Sequence, residues 1–151
     1  MIKKIPFTQT GYNLLLEELS ALNSERNPAI AELQRSRELG DLSENSAYRV
    51  ARQKTSRIDK RIRHIKNLIK YSVIVSPKNN HTIEVGSCFS IKLNDHNYTY
   101  TLVNTFESNI EKSLLSAYSP IGKNVLGKKK GDIITISTPN GTSICTILDI
   151  K

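Results

Sequence analysis

Tryptophan is absent, and charged residues make up 24% of the chain against 38% hydrophobic, so only a modest core can be built from its 151 residues. That length suits one ordinary domain or two small ones. Cysteine occurs twice, as Cys88 and Cys145, each inside an apolar alternating stretch and without histidine neighbours. Two such cysteines make no zinc site and are expected to be buried thiols, not a disulfide. No apolar run approaches the ~20 residues that span a bilayer. Met1-Ile2-Lys3-Lys4-Ile5-Pro6 has lysines but no apolar stretch after them, so no secretory signal is expected there. These absences predict a soluble, cytoplasmic protein with no membrane partner. Catalytic motifs are missing as well: there is no G-x-S-x-G, no H-E-x-x-H, no Gly-rich phosphate loop and no paired-cysteine motif. His64, His81 and His96 are scattered and suggest no active site.

What is present is positive charge, and it is concentrated. The net charge is +8. Residues 49–70 hold nine Lys/Arg against Asp59 alone, whereas residues 1–48 balance to −2 and residues 71–151 to +2. A solvated helix face usually mixes its signs. A local excess of this size suits a polyanion such as nucleic acid.

Two long helices are predicted. Thr8 is a plausible N-cap, and Leu15, Leu19, Leu22, Arg26, Ala29 and Leu33 step by heptad-like spacings, with Leu14, Leu16 and Ile30 expected to widen the apolar face. Pro28 lies inside this run, so a kink or local break is expected near Arg26-Asn27. The helix resumes to about Glu38, and Gly40 suits the left-handed residue past a helix end. The second seam, Ala51, Thr55, Ile58, Ile62, Ile65 and Ile69, repeats the same spacings, with Tyr48 one step earlier. Two seams of equal length joined by a short turn predict an antiparallel helical hairpin, a thin coiled coil about 45 Å long at 1.5 Å per residue.

The second half changes period. Ser76-Pro77-Lys78-Asn79-Asn80 is turn-rich and suggests a linker between a hairpin domain over 1–75 and a globular domain over 81–151. Ser87–Leu93 and Tyr98–Thr105 alternate around the turn Asn94–Asn97, and Leu114–Ala117 is a short strand candidate. Ser119-Pro120 reads as N-cap and first helical residue of one short helix ending near Gly127. Ile133–Thr138 and Thr142–Ile150 flank Pro139-Asn140-Gly141, a hairpin signal. The expected class is α+β: a helical hairpin followed by a small antiparallel sheet with one short helix.

The acidic turn between the helices, Gly40-Asp41-Leu42-Ser43-Glu44-Asn45, supports two readings. Asp41 and Glu44 have the spacing of a capping box, which satisfies open backbone N–H groups at a helix start. Two carboxylates are also a usual protein share for Mg²⁺, whose other ligands come from water or a partner. Exposed and alone they would hold the ion weakly. In a site that already holds one metal they could help generate or orient a nucleophilic water. One Asp oxygen can cap while the other faces outward, so the readings are compatible.

The run Arg37-Glu38-Leu39-Gly40-Asp41-Leu42-Ser43-Glu44-Asn45-Ser46-Ala47-Tyr48 resembles the tip signature of the GreA/GreB transcript cleavage factors of bacterial RNA polymerase. Ile5-Pro6-Phe7-Thr8 with Gly11 resembles their N-terminus, and Ser119-Pro120-Ile121-Gly122, Leu126-Gly127-Lys128, Gly131-Asp132 and Thr138-Pro139-Asn140-Gly141 resemble their C-terminal signature. The likeness is greater to the GreA branch. It implies an N-terminal coiled-coil hairpin and a C-terminal FKBP-like domain that docks at the polymerase secondary channel. It further implies that Asp41 and Glu44 help hold a second Mg²⁺, shared with the polymerase and absent from the isolated protein. The polymerase would then cleave the 3′ end of backtracked nascent RNA, so the chain is expected to stimulate that activity without being an enzyme, and to be a monomer. By position, Gly40, Asn45 and Tyr48 would support the tip, Arg37 and Arg52 would face RNA, and Ser119 and Pro120 would meet the polymerase. Ala47 stands where many members have a third acid, and Asn124 where a small apolar residue is usual. The rival expectations are a channel-binding regulator without cleavage activity and a basic coiled-coil nucleic-acid binder.

Overall fold

The computed structural model describes residues 4–38, 45–78, 81–138 and 141–151. The chain packs as two compact units. One is Tyr12–Tyr71; the other joins the segment through Gly11 to Ser72–Lys151. We call them the hairpin unit and the sheet unit.

The hairpin unit is built on α1 (Gln9–Glu38) and α2 (Ser46–Tyr71). Ion pairs run 18 to 61, 26 to 59 and 32 to 54, so one number rises as the other falls and the helices are antiparallel. The α2 seam is Ala51, Thr55, Ile58, Ile62, Ile65 and Leu68. Leu68 takes the last place in the seam and the expected Ile69 is half-buried beside it. On α1, Leu15 and Ala29 are buried, and Leu19 and Leu22 pack with Ala29 against Ile58 and Ile62. Leu14 and Leu16 are exposed, so they do not widen the face as expected.

Pro28 does not break α1, which is continuous through it. The ring removes one N–H from the ladder, a cost that packing on both sides offsets. Next to it Ala29 is buried against α2, and two residues earlier Arg26 Nε donates to Asp59 Oδ1 at 2.7 Å. Thr55, a polar residue in the seam, donates its hydroxyl to the Ala51 carbonyl at 2.9 Å and lies 3.3 Å from the Ala29 carbonyl. Its burial therefore leaves no hydroxyl without a partner.

The sheet unit holds two sheets. β1 (Ile5–Phe7) and β2 (Ser72–Ile74) pair in parallel, and the Val75 N–H donates to the Phe7 carbonyl at 2.9 Å. Phe7 is fully buried. This pairing assigns the N-terminal strand to the sheet unit, whereas a division at residue 75 follows the sequence and leaves it with the hairpin. The second sheet contains β3 (Cys88–Leu93), β4 (His96–Val103), β5 (Leu114–Ser116), β6 (Ile133–Thr138) and β7 (Gly141–Ile150) in the order β5-β4-β3-β7-β6. All neighbours are antiparallel except β4–β5, which is parallel. Asn94 and Asp95 close the β3–β4 turn with φ of 50° and 64°, so His96 and Asn97 belong to β4 and not to the turn. Thr138 pairs with Gly141, and Pro139 and Asn140 of the expected hairpin turn lie outside the described residues. The single α-helix here, α3 (Pro120–Val125), lies against β6. Phe89, Ile91, Leu102, Ile136, Cys145 and Ile147 form the centre of the core. Cys145 is a buried free thiol whose ionisation burial pushes up, and Cys88 is a half-buried free thiol. No described helix is long and apolar enough to cross a membrane.

Two outcomes are expected for the hairpin. Ile58→Ala empties the middle of its only seam and should cost about 2–5 kcal/mol in urea unfolding. Glu18 hydrogen-bonds Arg61 at 2.6 and 2.8 Å, which holds its carboxyl below the ordinary value. A depressed folded pKa stabilises above the unfolded value and loses that contribution as pH falls through the folded one. Glu18→Gln should flatten the acid limb of the melting temperature against pH, by an amount worth about 0.2–1 kcal/mol because the pair is partly exposed.

Candidate functional site

The end of the hairpin is closed by one side chain. Asn45 accepts the Tyr48 N–H on Oδ1 at 2.9 Å, which makes it the N-cap of α2. Its Nδ2 donates to the Ser36 carbonyl in the last turn of α1 at 2.7 Å. One amide thus satisfies an open donor of α2 and an open acceptor of α1. Ser36 is buried and donates its own hydroxyl to the Leu33 carbonyl at 2.8 Å. It continues the α1 seam by three residues beyond Leu33, a step the heptad spacing offers but a serine conceals. Arg37 Cζ lies 5.7 Å from the Tyr48 ring centroid, a second bridge between the helices.

Asp41, Glu44 and Gly40 lie outside the described residues, as does the expected Asp41/Glu44 capping box; the cap that α2 shows is Asn45. Of the expected site residues, the structure brings Arg37, Asn45 and Tyr48 together, and Arg52 follows Tyr48 by one helical turn. Among the described residues no cluster of three or more His, Cys, Asp or Glu could hold a metal ion.

The charge of α2 sorts itself by pairing. Arg61 meets Glu18 and Lys54 meets Glu32, while Asp59, the one acid of the segment, is taken by Arg26 of α1. Arg49, Arg52, Arg57 and Lys60, with Gln53 and Ser56, line one shallow exposed groove. Among the described residues no ion pair engages these four cations. With Gln53 and Ser56 between them they connect by steps of three and four along one helix face, which is how the sequence could have singled them out.

Ser119 and Pro120 belong to the sheet unit. Ser119 Oγ accepts the Gly122 N–H at 2.9 Å and donates to the Ser116 carbonyl at 2.7 Å, so it caps α3 and ties it to β5. Gly122 is required by this approach, since a Cβ there would fall 1.9 Å from the Ser116 carbonyl oxygen. Pro120 opens the helix and is exposed. Sequence reasoning missed the neighbouring cleft, in which Tyr118 and Phe106, 55% and 51% exposed, flank Lys4, Ile5 and Pro6. Asn124, the residue unusual for its position, donates to the Pro120 carbonyl at 2.7 Å within the same helix.

The molecule is thus a two-part factor, a helical hairpin with a cationic face and a sheet unit with a capped helix beside an apolar cleft. Residues 5–74 match the family model "Transcription elongation factor, N-terminal" and residues 78–151 match "Transcription elongation factor, GreA/GreB, C-term". Among curated proteins, transcription elongation factor GreA of Chlorobaculum tepidum is 37% identical over 156 residues, covering 99% of this chain and 98% of the relative. GreA of Ruegeria pomeroyi is 36% identical, covering 99% of each chain. Among solved structures, GreA factor homolog 1 (Gfh1) of Thermus thermophilus is similar, with a TM-score of 0.47 and 25% identity over 99% of each chain. The chain belongs to the GreA/GreB family of transcription elongation factors.

Asn45→Ala removes both bonds at the hairpin end. It should destabilise the hairpin by about 1–2 kcal/mol in urea unfolding, and Asn45→Asp, which keeps the cap but not the donor, by about half as much.

Proposed function

We propose that this elongation factor docks on bacterial RNA polymerase through the sheet unit and brings the hairpin end to the polymerase active site. There it stimulates Mg²⁺-dependent cleavage of the 3′ end of backtracked RNA. The observation that carries the reading is the Asn45 clamp: α1 and α2 are tied together directly across the stretch of sequence that holds Asp41 and Glu44. A two-carboxylate donor set falls short of the six oxygens that Mg²⁺ takes, which fits an ion held jointly with a partner and not by this chain alone. Asp41 and Glu44 would supply ligands, and the ion when bound would lower the pKa of the attacking water. Reaction chemistry belongs to the polymerase, so the chain is a stimulating factor and not an enzyme.

The face of α2 that no ion pair engages among the described residues supplies the RNA contact. Arg49, Arg52, Arg57 and Lys60 form a cationic stripe on the helix that leads away from the tip, suited to a phosphate backbone. Arg37 is exposed and stacked on Tyr48, so it both braces the tip and adds charge to it. Docking falls to Ser119 and Pro120 with the exposed rings of Tyr118 and Phe106, since aromatic side chains beside a polar rim are the usual anchors of an interface.

Cleavage assays on stalled, backtracked polymerase test this reading. Asp41→Ala and Glu44→Ala should each cut 3′ RNA release by about 10²–10³-fold while competition for the polymerase is retained. Normal cleavage by both variants sinks the metal role of the tip. Arg52→Ala should weaken RNA-dependent activity and make its log–log salt dependence shallower by about 0.7, the share of one phosphate contact to a single strand. An unchanged slope would show the stripe to be solvated only. Wild-type protein that competes for polymerase yet releases no RNA would point instead to a regulator.

A further inference from the structure

The apolar cleft of the sheet unit, about 390 Å³ in volume, has two walls. Lys4, Ile5 and Pro6 form one; Thr105, Phe106 and Tyr118 form the other. A closed hydrogen-bond set ties them together, and the proposed chemistry does not use it. Asn104, 1% exposed, donates to the Pro6 carbonyl of the first wall at 2.6 Å and accepts the Phe106 N–H of the second at 2.7 Å. Its Nδ2 also donates to Glu107 Oε1 at 2.5 Å. Glu107 Oε1 accepts the Thr8 N–H at 3.1 Å, and Oε2 accepts the Thr8 hydroxyl, across 99 residues of sequence. Between these ties the buried Phe7 ring stacks on Phe106 at 6.5 Å. Tyr118 is joined to Thr105 as well: its N–H donates to Ser116 Oγ at 3.1 Å, and that hydroxyl lies 3.2 Å from Thr105 Oγ1. Helix capping alone does not call for Glu107, because Thr8 Oγ1 already accepts the Gly11 N–H at 3.0 Å. Gly11 makes the room. A Cβ there would fall 1.8 Å from Glu107 Oε2. Alanine is otherwise the better helix former, so the glycine is explained by the carboxylate it admits.

We infer that Glu107 is a positioning residue for docking: with Asn104 it sets the spacing of the two cleft walls before the polymerase arrives. The inference rests on the docking proposed above and involves the sheet unit alone. The occupant it calls for is a polymerase segment that carries an apolar side chain next to an acid. The apolar part follows from the half-exposed rings of Phe106 and Tyr118. The acid follows from Lys4, the one charged residue of the lining, which is exposed and engaged by no ion pair among the described residues. A surface shaped before contact binds more tightly, because less ordering remains to be done on association. Loss of the carboxylate leaves the Thr8 N–H and one Asn104 amide proton without an acceptor, and the walls are then free to move apart.

Titration of the full chain on backtracked polymerase separates docking from chemistry. Glu107→Ala removes the carboxylate and Gly11→Ala displaces it. Each is expected to raise the half-saturating concentration for cleavage by about tenfold, with the maximal rate changed by less than about twofold. Glu107→Gln keeps the shape, can accept the Thr8 N–H and can donate to the Thr8 hydroxyl, and should restore most of the affinity. A cycle with Tyr118→Ala separates positioning from general stability. Tyr118→Ala should itself cost about tenfold, and Glu107→Ala added to it less than about twofold more, because the wall it positions has lost its ring. Amide hydrogen exchange on the free protein gives a readout without polymerase. The Thr8 and Phe106 amides should exchange at least about tenfold faster in Glu107→Ala, with β3 and β7 amides unchanged. The inference is overturned by unaltered exchange at those two amides, by a loss confined to the maximal rate, by a loss that Glu107→Gln fails to rescue, or by additive losses in the cycle. Should Tyr118→Ala leave half-saturation unchanged, the docking reading fails and takes this inference with it. Weakened docking in Tyr118→Ala beside unimpaired docking in Glu107→Ala sinks this inference alone.

Discussion

Two long helices hold each other through one shared seam, and this constraint governs the hairpin. The seam is one residue wide in places, so each of its members matters more than a typical core residue. Isoleucine dominates the α2 side, at 58, 62 and 65, and small residues lie where the backbones approach, at Ala29 and Ala51. Polar members are tolerated only because each has a partner: Thr55 turns back to backbone carbonyls, and Arg26 reaches Asp59. A narrow seam also leaves most of each helix exposed, which frees the outer face of α2 to carry charge.

Pairing and charge are linked through that seam. The acids of α1 could have neutralised any of the cations of α2. Glu18 and Glu32 instead engage Arg61 and Lys54, flanking the interface, and Asp59 is spent across it on Arg26. Of the α2 cations that no ion pair engages among the described residues, Arg49, Arg52, Arg57 and Lys60 line one exposed groove. The ion pairs themselves contribute little stability, being partly exposed. Their larger effect is to select which positive charges remain available to a polyanion.

Much of the fold was legible because it is periodic. The heptad-like steps gave both helices, and Ser119-Pro120 marked the start of α3 and its cap. Pro28 does not break α1, since local propensity yields there to the burial of Ala29 and the Arg26–Asp59 pair. Ile69 gave way to Leu68 in the seam because both are apolar and adjacent, and spacing alone does not choose between them. β1 and β2 were beyond reach as a pair. Strands of three residues carry no period, and these two pair across the whole of α1 and α2. The candidate site divides in the same way. Asp41 and Glu44 stand out as a motif, and the basic run stands out as composition. The two-sided role of Asn45 and the reach of Glu107 depend on contacts that no local pattern encodes.

The parallel partnership of β1 with β2 bears on how the molecule comes to exist. Parallel neighbours cannot be joined by a tight turn and need a long crossover. Here the crossover is α1 and α2, so in the chain the hairpin unit falls between two segments of the sheet unit. A ribosome emits β1 long before its partner. The first strand and Phe7 must wait, unpaired, while the whole excursion is synthesised, and the contacts of Thr8 and Gly11 with Glu107 must wait longer still. The hairpin can assemble from neighbours in sequence, whereas its foundation closes only when the distant chain returns. The helices are thus complete before the strand pairing that encloses them in sequence.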